Sequence, residues 1–223
     1  MQILLERWHA WWRAGPARRQ RPLLAVVEGG HDIEFLTRIS RLVHAADTRL
    51  PHLERAALTS KLLFLPAGGA NLGDWTLRLA ALELPEFYLF DREMSPETKL
   101  RKQLVATLNA RPQTAAFLTR KRSLENYLHP AAICAVTGID LSFGDDDSVA
   151  SLAAQALFES KPGDPAWSAL SARARKRLRD RSKRWLNTRA VERMTLAQLY
   201  ERDPDGEVIG WFRAVAELLR LAR

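Results

Sequence analysis

Two pairs of acidic residues, each following an apolar run, are the side chains of this sequence best suited to chemistry. Glu28 follows a strand-like run and Asp32 comes four residues later, while Asp91 and Glu93 follow a second apolar run. Because parallel strands bring their carboxyl ends to one edge of a sheet, neighbouring strands would bring these four carboxylates together. Carboxylate oxygens are the ligands that Mg²⁺ prefers, and bound ions of this kind assist the cleavage of phosphodiesters.

A plainer alternative is that the four acids are solvated residues at the starts of helices, where negative charge stabilises the helix dipole. This alternative explains Asp32 well. It does not explain why Glu28 and Asp91 come directly after apolar runs, each with a second acid close behind it. The strand-end positions therefore favour a site.

The elements that must position these acids alternate along the first 130 residues. The sequence predicts strands at 22–28, 61–65, 87–91 and 114–119, and helices near 32–46, 72–82 and 96–109, with a short helical segment after Ser123. Such alternation favours a mainly parallel α/β sheet, Rossmann-like and flanked by helices.

The rest of the chain has a different character, because no convincing strand occurs after residue 130. Helices are predicted at 130–137, 148–159, 166–186 and 206–222. The expected organisation is an N-terminal helix and basic linker at 1–21, an α/β domain at 22–130 and a helical C-terminal part at 131–223. Tryptophans in the first helix, such as Trp8 and Trp12, either pack on the domain or form part of a partner interface, where tryptophan is enriched.

The composition indicates a polyanionic partner and a reducing compartment. The net charge is +8 and the isoelectric point about 10.1, which fits nucleic acid but also an arginine-rich surface without a specific partner. Cys134 is the single cysteine and cannot form an intrachain disulfide. No apolar run approaches the ~20 residues of a membrane span, and the N-terminus lacks a signal-peptide pattern, so we expect a cytoplasmic protein with no membrane association.

Two groups of basic residues are candidates for binding a nucleic-acid backbone. Arg120, Lys121 and Arg122 follow the fourth predicted strand, so they either hold phosphates or pair with Glu125 or Asp91. A denser basic stripe spreads around the predicted helix that follows. Its members are Arg173, Arg175, Lys176, Arg177, Arg179, Arg181, Lys183, Arg184 and Arg189. The stripe fits a nucleic-acid backbone, although a solvated helix is the simpler explanation.

Four segments, taken together and in order, resemble the TOPRIM domain of topoisomerases, bacterial primases and the overcoming-lysogenization-defect (OLD) nucleases. They are Glu28-Gly29-x-x-Asp32, the segment 65–71, Asp91-x-Glu93 and the segment 120–128. The last contains Glu125-Asn126-Tyr127 after basic residues, and resembles OLD-type nucleases and stand-alone TOPRIM proteins of two-gene phage-defence systems. The resemblance covers about residues 22–130.

The resemblance implies a role for each matching residue. Metal ligands would be Glu28, Asp32, Asp91, Glu93 and Glu125. Glu28 would alternatively be the general acid or base, and Asn71 would contact nucleic acid together with the basic residues at 120–122. A lysine of the helical part would stabilise the transition state, and Lys183 is the best match, with Lys176 as its rival. The chain departs from the family at Glu93, where Asp is usual.

The function implied by the resemblance is that of a nuclease dependent on one or two Mg²⁺ or Mn²⁺ ions, cleaving DNA or structured RNA. OLD-type TOPRIM domains are fused to an ABC-type ATPase, which this chain lacks. The resemblance therefore implies a separately encoded ATPase partner and a role in defence against phage or plasmids, and it leaves a homodimer open. The alternatives are a catalytically silent TOPRIM subunit that binds nucleic acid or regulates a partner, and a different phosphoryl-transfer enzyme.

Overall fold

A four-stranded, all-parallel sheet flanked by helices forms the first part of the protein. The computed structural model describes residues 21–68, 72–161, 163 and 165–222, so the predicted N-terminal tryptophan helix and Asn71 lie outside the described residues. The strands are β1 (Leu23–Val27), β2 (Leu62–Pro66), β3 (Glu86–Phe90) and β4 (Thr114–Leu118). Their order in the sheet is β2-β1-β3-β4. The prediction of an α/β fold with a helical C-terminal part is confirmed.

Helices connect the strands and make up the C-terminal part. They are α1 (Gly30–Ala46), α2 (Leu53–Leu58), α3 (Leu72–Ala80), α4 (Glu97–Asn109), α5 (Pro130–Thr137), α6 (Val149–Glu159), α7 (Ala172–Trp185), α8 (Leu196–Arg202) and α9 (Glu207–Leu221). A 3-10 turn at Leu124–Tyr127 follows β4, and a π-helical turn at Leu186–Ala190 continues α7. Among the described residues, no helix is both long and apolar enough to cross a lipid bilayer.

The two central strands explain why the acids after them are held firmly. All five residues of β1 and all five of β3 are buried, as expected for parallel strands that helices cover on both faces. The strands pair directly, with Val27 beside Leu89. Glu28 and Asp91, which follow these strands, therefore emerge next to each other at the carboxyl edge of the sheet.

The apolar core extends from the sheet into the C-terminal helices. On one face of the sheet, β1 packs with Tyr127 of the 3-10 turn, Leu186 of the π-helical turn and Trp211 of α9. The rings of Tyr127 and Trp211 meet edge to face, with centroids 5.2 Å apart. The opposite face carries a smaller cluster that includes Tyr88 and Leu108. The C-terminal helices thus share the core that covers one face of the sheet.

Three helical details differ from the sequence prediction. Helices α2 and α8 were not predicted, because six or seven residues are too few to show clear periodicity. A Thr195–Gln198 capping box begins α8, and this short signal was present in the sequence. The helix predicted at 166–186 is a 3-10 turn followed by α7. Ser171 starts α7, because its hydroxyl accepts a hydrogen bond from the backbone N–H of Ala174 at 3.2 Å.

Candidate active site at the carboxyl edge of the sheet

Asp32 is both a helix cap and a member of the candidate site. Gly29 is the N-cap of α1, and its backbone N–H donates to Asp32 Oδ2 at 2.8 Å. This is the capping interaction that the plainer alternative expects of an acid at a helix start. Yet the Asp32 side chain is buried rather than solvated. Capping accounts for its position but not for the burial of its charge.

Glu28 and Asp91 lie side by side at the ends of β1 and β3. The backbone N–H of Asp91 donates to Glu28 Oε1 at 2.9 Å. The carboxylate of Asp91 is also buried, and its Oδ1 accepts a hydrogen bond from the backbone N–H of Leu124 at 3.0 Å. Leu124 opens the 3-10 turn that carries Glu125. One hydrogen bond therefore links the second acidic motif to the Glu-Asn-Tyr segment.

Lys183 of α7 reaches into this group of acids. Its Nζ lies 3.8 Å from Asp91 Oδ2 and 3.7 Å from Glu125 Oε1. Burial alone would lower the pKa of the Lys183 ammonium, but the negative charges of the surrounding carboxylates raise it above its ordinary value. Lys183 is therefore protonated at neutral pH. The rival Lys176 is exposed on the same helix.

The carboxylates are crowded enough to perturb one another. Burial raises the pKa of Asp32 to about 6; the nearby Lys183 opposes this shift, and Glu125 and Glu28 add to it. Burial also raises the pKa of Asp91 well above its ordinary value, helped by the charges of Asp32, Glu125 and Glu28. We refer to Glu28, Asp32, Asp91 and Glu125 as the acid cluster. Buried like charges of this kind are typical of functional sites.

Two residues of the site were missed in the sequence, and the first is Arg101 of α4. Its guanidinium pairs with Glu28, with Nη2 3.1 Å from Oε2, and also donates to the carbonyl oxygen of Asp91. The sequence held no signal to single it out, since Lys99 and Lys102 are equally basic neighbours on the same predicted helix. Only the packing of α4 against β4 selects Arg101.

The second missed residue is Asn187, in the π-helical turn. Its Nδ2 donates to Glu125 Oε1 at 2.6 Å and to the carbonyl oxygen of Lys183 at 3.0 Å. Asn187 is fully buried, and its Oδ1 has no hydrogen-bond partner within the described part of the chain. Its position four residues after Lys183 was a usable signal, because such residues share one face of a helix.

The contacts of Glu93 are with the basic loop and not with the acid cluster. Its backbone adopts a positive φ of 53°, and its N–H donates to the carbonyl oxygen of Arg122 at 3.0 Å. The half-exposed side chain has Oε2 3.8 Å from Arg122 Nε. The structure therefore brings four of the five predicted ligands around Lys183, and places Glu93 with the basic loop.

The basic loop after β4 is paired with acids other than the expected Glu125 and Asp91. Lys121 is buried, pairs with Asp145 and lies 5.6 Å from the centre of the Tyr127 ring. Arg120 Nη1 lies 2.6 Å from Asp205 Oδ2. Asp145 belongs to a turn before α6. This turn and the start of α9 flank the loop and supply its counter-charges.

The basic stripe lies mostly on the exposed surface of α7. Arg179 lies 3.6 Å from Asp180. For the other exposed members, the described residues show no ion pair; these are Arg173, Arg175, Lys176, Arg177, Arg181, Arg184 and Arg189. Lys183 is the member that turns inward. One helix therefore presents cations both to the acid cluster and to solvent.

Among residues 21–68, 72–161, 163 and 165–222, no group of three or more His, Cys, Asp or Glu side chains is arranged to hold a metal ion. The charges that the acids face in this structure are those of Lys183 and Arg101.

The chain matches no protein-family model, no curated protein and no solved structure.

Proposed function

We propose that this protein is a Mg²⁺- or Mn²⁺-dependent nuclease of the TOPRIM type, cleaving phosphodiester bonds of DNA or structured RNA. The observation that carries the proposal is the convergence of four carboxylates on Lys183 at the carboxyl edge of a parallel sheet. Ligands of such sheets bind at this edge. Two of the acids follow β1 and β3 directly, and the others lie in α1 and the 3-10 turn, so residues far apart in sequence share one place in the fold.

The donor set fits a divalent ion chemically. Mg²⁺ and Mn²⁺ take oxygen ligands, and Glu28, Asp32, Asp91 and Glu125 would hold the metal. The raised pKa values of Asp32 and Asp91 support this, because a cation beside them would offset the cost of burying their negative charges, to which the neighbouring carboxylates add. The unpaired Oδ1 of buried Asn187 is a further oxygen beside Glu125. The bound ion would supply an activated water and neutralise charge on the phosphate.

The protein's own cations would act on the substrate and on the acids. The Lys183 ammonium is held beside Asp91 and Glu125, where it would stabilise negative charge that develops on the phosphate. Asn187 fixes the orientation of Glu125 through its 2.6 Å hydrogen bond. Arg101 fixes Glu28 against the end of β3.

Cleavage assays on the purified full chain test this proposal. The protein is incubated with plasmid DNA, single-stranded DNA and tRNA in the presence of Mg²⁺, Mn²⁺ or EDTA. We expect metal-dependent cleavage that Asp91→Asn abolishes and that Lys183→Met lowers about a hundredfold or more. Lys176→Met is the matched control, because Lys176 is exposed on the same helix, and it should leave the rate within about twofold.

A separately encoded ATPase partner and a role in phage or plasmid defence also belong to the proposal. Their support is the resemblance of the motifs, and co-purification of the chain with the product of a neighbouring ATPase gene tests them. We expect the complex to cleave faster than the isolated chain. Equal rates for the complex and the isolated chain would remove the ATPase from the proposal.

One observation favours a second candidate, a catalytically silent subunit that binds nucleic acid or regulates a partner. Lys183 and Arg101 neutralise part of the acid cluster, and Glu93 contacts Arg122 instead of the other acids. A silent subunit would bind the same substrates without cleaving them under any metal, both alone and with its partner.

A further inference from the structure

A second concave site lies on the other side of α7 from the acid cluster. It is a cavity of about 610 Å³ between α5, α6, α7 and the π-helical turn. A volume of roughly 300–1,000 Å³ is typical of sites for small ligands or ligand moieties. Its floor is apolar and includes two aromatic side chains, Phe158 and Trp185, beside Leu157 and Leu178. None of the roles proposed for the acid cluster, Lys183 or Arg101 involves this cavity.

The rim of the cavity is strongly basic. Arg181, Arg184 and Arg189 line it and are exposed. Among the described residues, none of the three has an ion-pair partner, and no acidic side chain lines the cavity. Two hydroxyls of its other walls are already engaged: Thr188 donates to the carbonyl oxygen of Arg184 at 2.8 Å, and Thr137 donates to that of Ile133 at 2.9 Å. The cavity therefore combines apolar and aromatic surface with free guanidinium groups.

We propose that this cavity binds an unpaired nucleotide of a single-stranded or looped nucleic acid, with the base against Phe158 and Trp185 and its phosphates on Arg181, Arg184 and Arg189. Stacking of bases on aromatic side chains beside a basic track is the general way in which single strands are bound. The inference rests on the proposed function and narrows its substrate class. A duplex keeps its bases stacked inside and cannot fill such a cavity.

The position of the cavity relative to Lys183 supports this substrate class. Ser182 and Arg184, the sequence neighbours of Lys183, both line the cavity, whereas Lys183 faces the acid cluster. The two sites are thus separated by about the width of one helix, roughly 10 Å. Arg184 and Lys183 both lie in the C-terminal turn of α7. A strand that crosses this turn from the cavity to the acid cluster would therefore meet cations on its way.

An oligonucleotide binding assay without metal tests the inference separately from cleavage. Fluorescence anisotropy in EDTA measures the affinity of the full chain for a labelled 20-nucleotide polythymidine strand and for a duplex of equal length. We expect the single strand to bind more tightly. Arg181→Glu with Arg184→Glu should weaken its binding at least tenfold, because both phosphate contacts are reversed. The matched control, Arg173→Glu with Lys176→Glu, changes the same charge on the same helix away from the cavity and should cost at most about threefold.

The apolar floor is tested by Trp185→Leu and Phe158→Leu, with circular dichroism to verify folding. Either variant should weaken single-strand binding about fivefold or more while leaving duplex binding unchanged, since only an unpaired base reaches the floor. The use of two variants keeps the test decisive if one of them fails to fold.

The outcomes separate this inference from the proposed nuclease. The nucleotide site would be overturned if the cavity variant and the control lost equal affinity for the single strand, or if the duplex bound more tightly than the single strand. It would also be overturned if polyglutamate of equal charge displaced the strand. Displacement by polyglutamate would assign the cavity to an acidic protein segment. Cavity-dependent binding without any metal-dependent cleavage would instead overturn the nuclease and leave the nucleotide site standing.

Discussion

A buried carboxylate lies at each end of strand β3, and the two differ in how much positive charge lies beside them to compensate their negative charge. Glu86 opens the strand, where its Oε2 lies 2.7 Å from Arg111 Nη2 and accepts a hydrogen bond from Tyr88 at 2.8 Å. Asp91 follows the strand's other end, where the cations that the four acids of the cluster face, among the described residues, are Lys183 and Arg101. At the amino end, Glu86 and Arg111 form a pair without net charge. At the carboxyl end, the four acids and these two cations leave two formal negative charges in excess.

This difference separates a structural ion pair from a candidate site. A buried pair with one acid and one base has its charge compensated internally. Uncompensated buried negative charge is unfavourable for the folded state alone. Burial, helped by the neighbouring carboxylates, raises the pKa values of Asp32 and Asp91. The buried negative charge becomes favourable when a cation binds. Burial of an acid therefore does not by itself distinguish a structural ion pair from a candidate site, whereas the balance of charges around the acid does.

The largest predicted effect on stability concerns the ion pair at the amino end of β3. Arg111→Met should lower the free energy of unfolding by about 3–5 kcal/mol, because it leaves the buried Glu86 without its cation. Urea denaturation measures this, with Arg49→Met as a control; Arg49 pairs with Asp47 on the surface, where such pairs contribute about 0–1 kcal/mol. Adding Glu86→Gln to Arg111→Met should restore much of the loss. A small effect of Arg111→Met would mean that the amino end does not depend on its ion pair.

At the crowded end, removal of an acid should stabilise the metal-free protein. The folded-state pKa of Asp32 is about 6 against about 3.8 for an unfolded chain, so the folded state binds more protons between these values and stability falls as pH rises through them. Asp32→Asn abolishes this fall, and its amide oxygen can still accept the hydrogen bond from Gly29. The variant should be more stable than wild type by up to about 3 kcal/mol at pH 7, with the gap closing below pH 4.

Denaturation curves of both proteins in EDTA between pH 3.5 and pH 8 check this prediction. Asp47→Asn is the control, because Asp47 pairs with Arg49 at the surface. A variant that is less stable than wild type at every pH would show that the Asp32 carboxylate contributes more as a helix cap than it costs by its burial.

A smaller effect is expected from Arg101, the cation that the sequence did not reveal. Arg101→Met removes a positive charge that pairs with Glu28 and so increases the excess of negative charge. We expect Mn²⁺ to bind roughly fivefold more tightly to the variant, a gain of about 1 kcal/mol. Calorimetric titration compares it with Lys102→Met, which removes a charge from the neighbouring position on α4. Weaker binding would mean that the positioning of Glu28 by Arg101 matters more for the metal than the repulsion from its positive charge.

The parts of the site that could be predicted are those that local sequence dictates. Glu28 and Asp91 follow buried strands, and the alternation of strands and helices is enough to bring parallel strand ends to one edge. The pairing of β1 with β3 then places the two acids together. Lys183 and Glu125 came from the resemblance of motifs, and the structure brings both to the same edge.

The parts that escaped prediction depend on contacts between distant segments. Arg101 meets Glu28 across 73 residues, and Asn187 meets Glu125 across 62, so no periodicity within one element reveals them. The position of Glu93 depends on a positive φ, which is uncommon for residues other than glycine and has no clear sequence signal here. Charge balance likewise emerges only once the elements are packed.

The central claim is that the charge excess at the carboxyl end of β3 is a divalent-cation site, and Mn²⁺-dependent stability tests it most directly. Thermal unfolding is followed for wild type, Asp91→Asn and Glu86→Gln as Mn²⁺ is added from zero to about a hundred times its dissociation constant. The account predicts a stabilisation of about 2.7 kcal/mol at the highest concentration, present in wild type and Glu86→Gln and absent in Asp91→Asn. No stabilisation of wild type, or an equal one in Asp91→Asn, would contradict it.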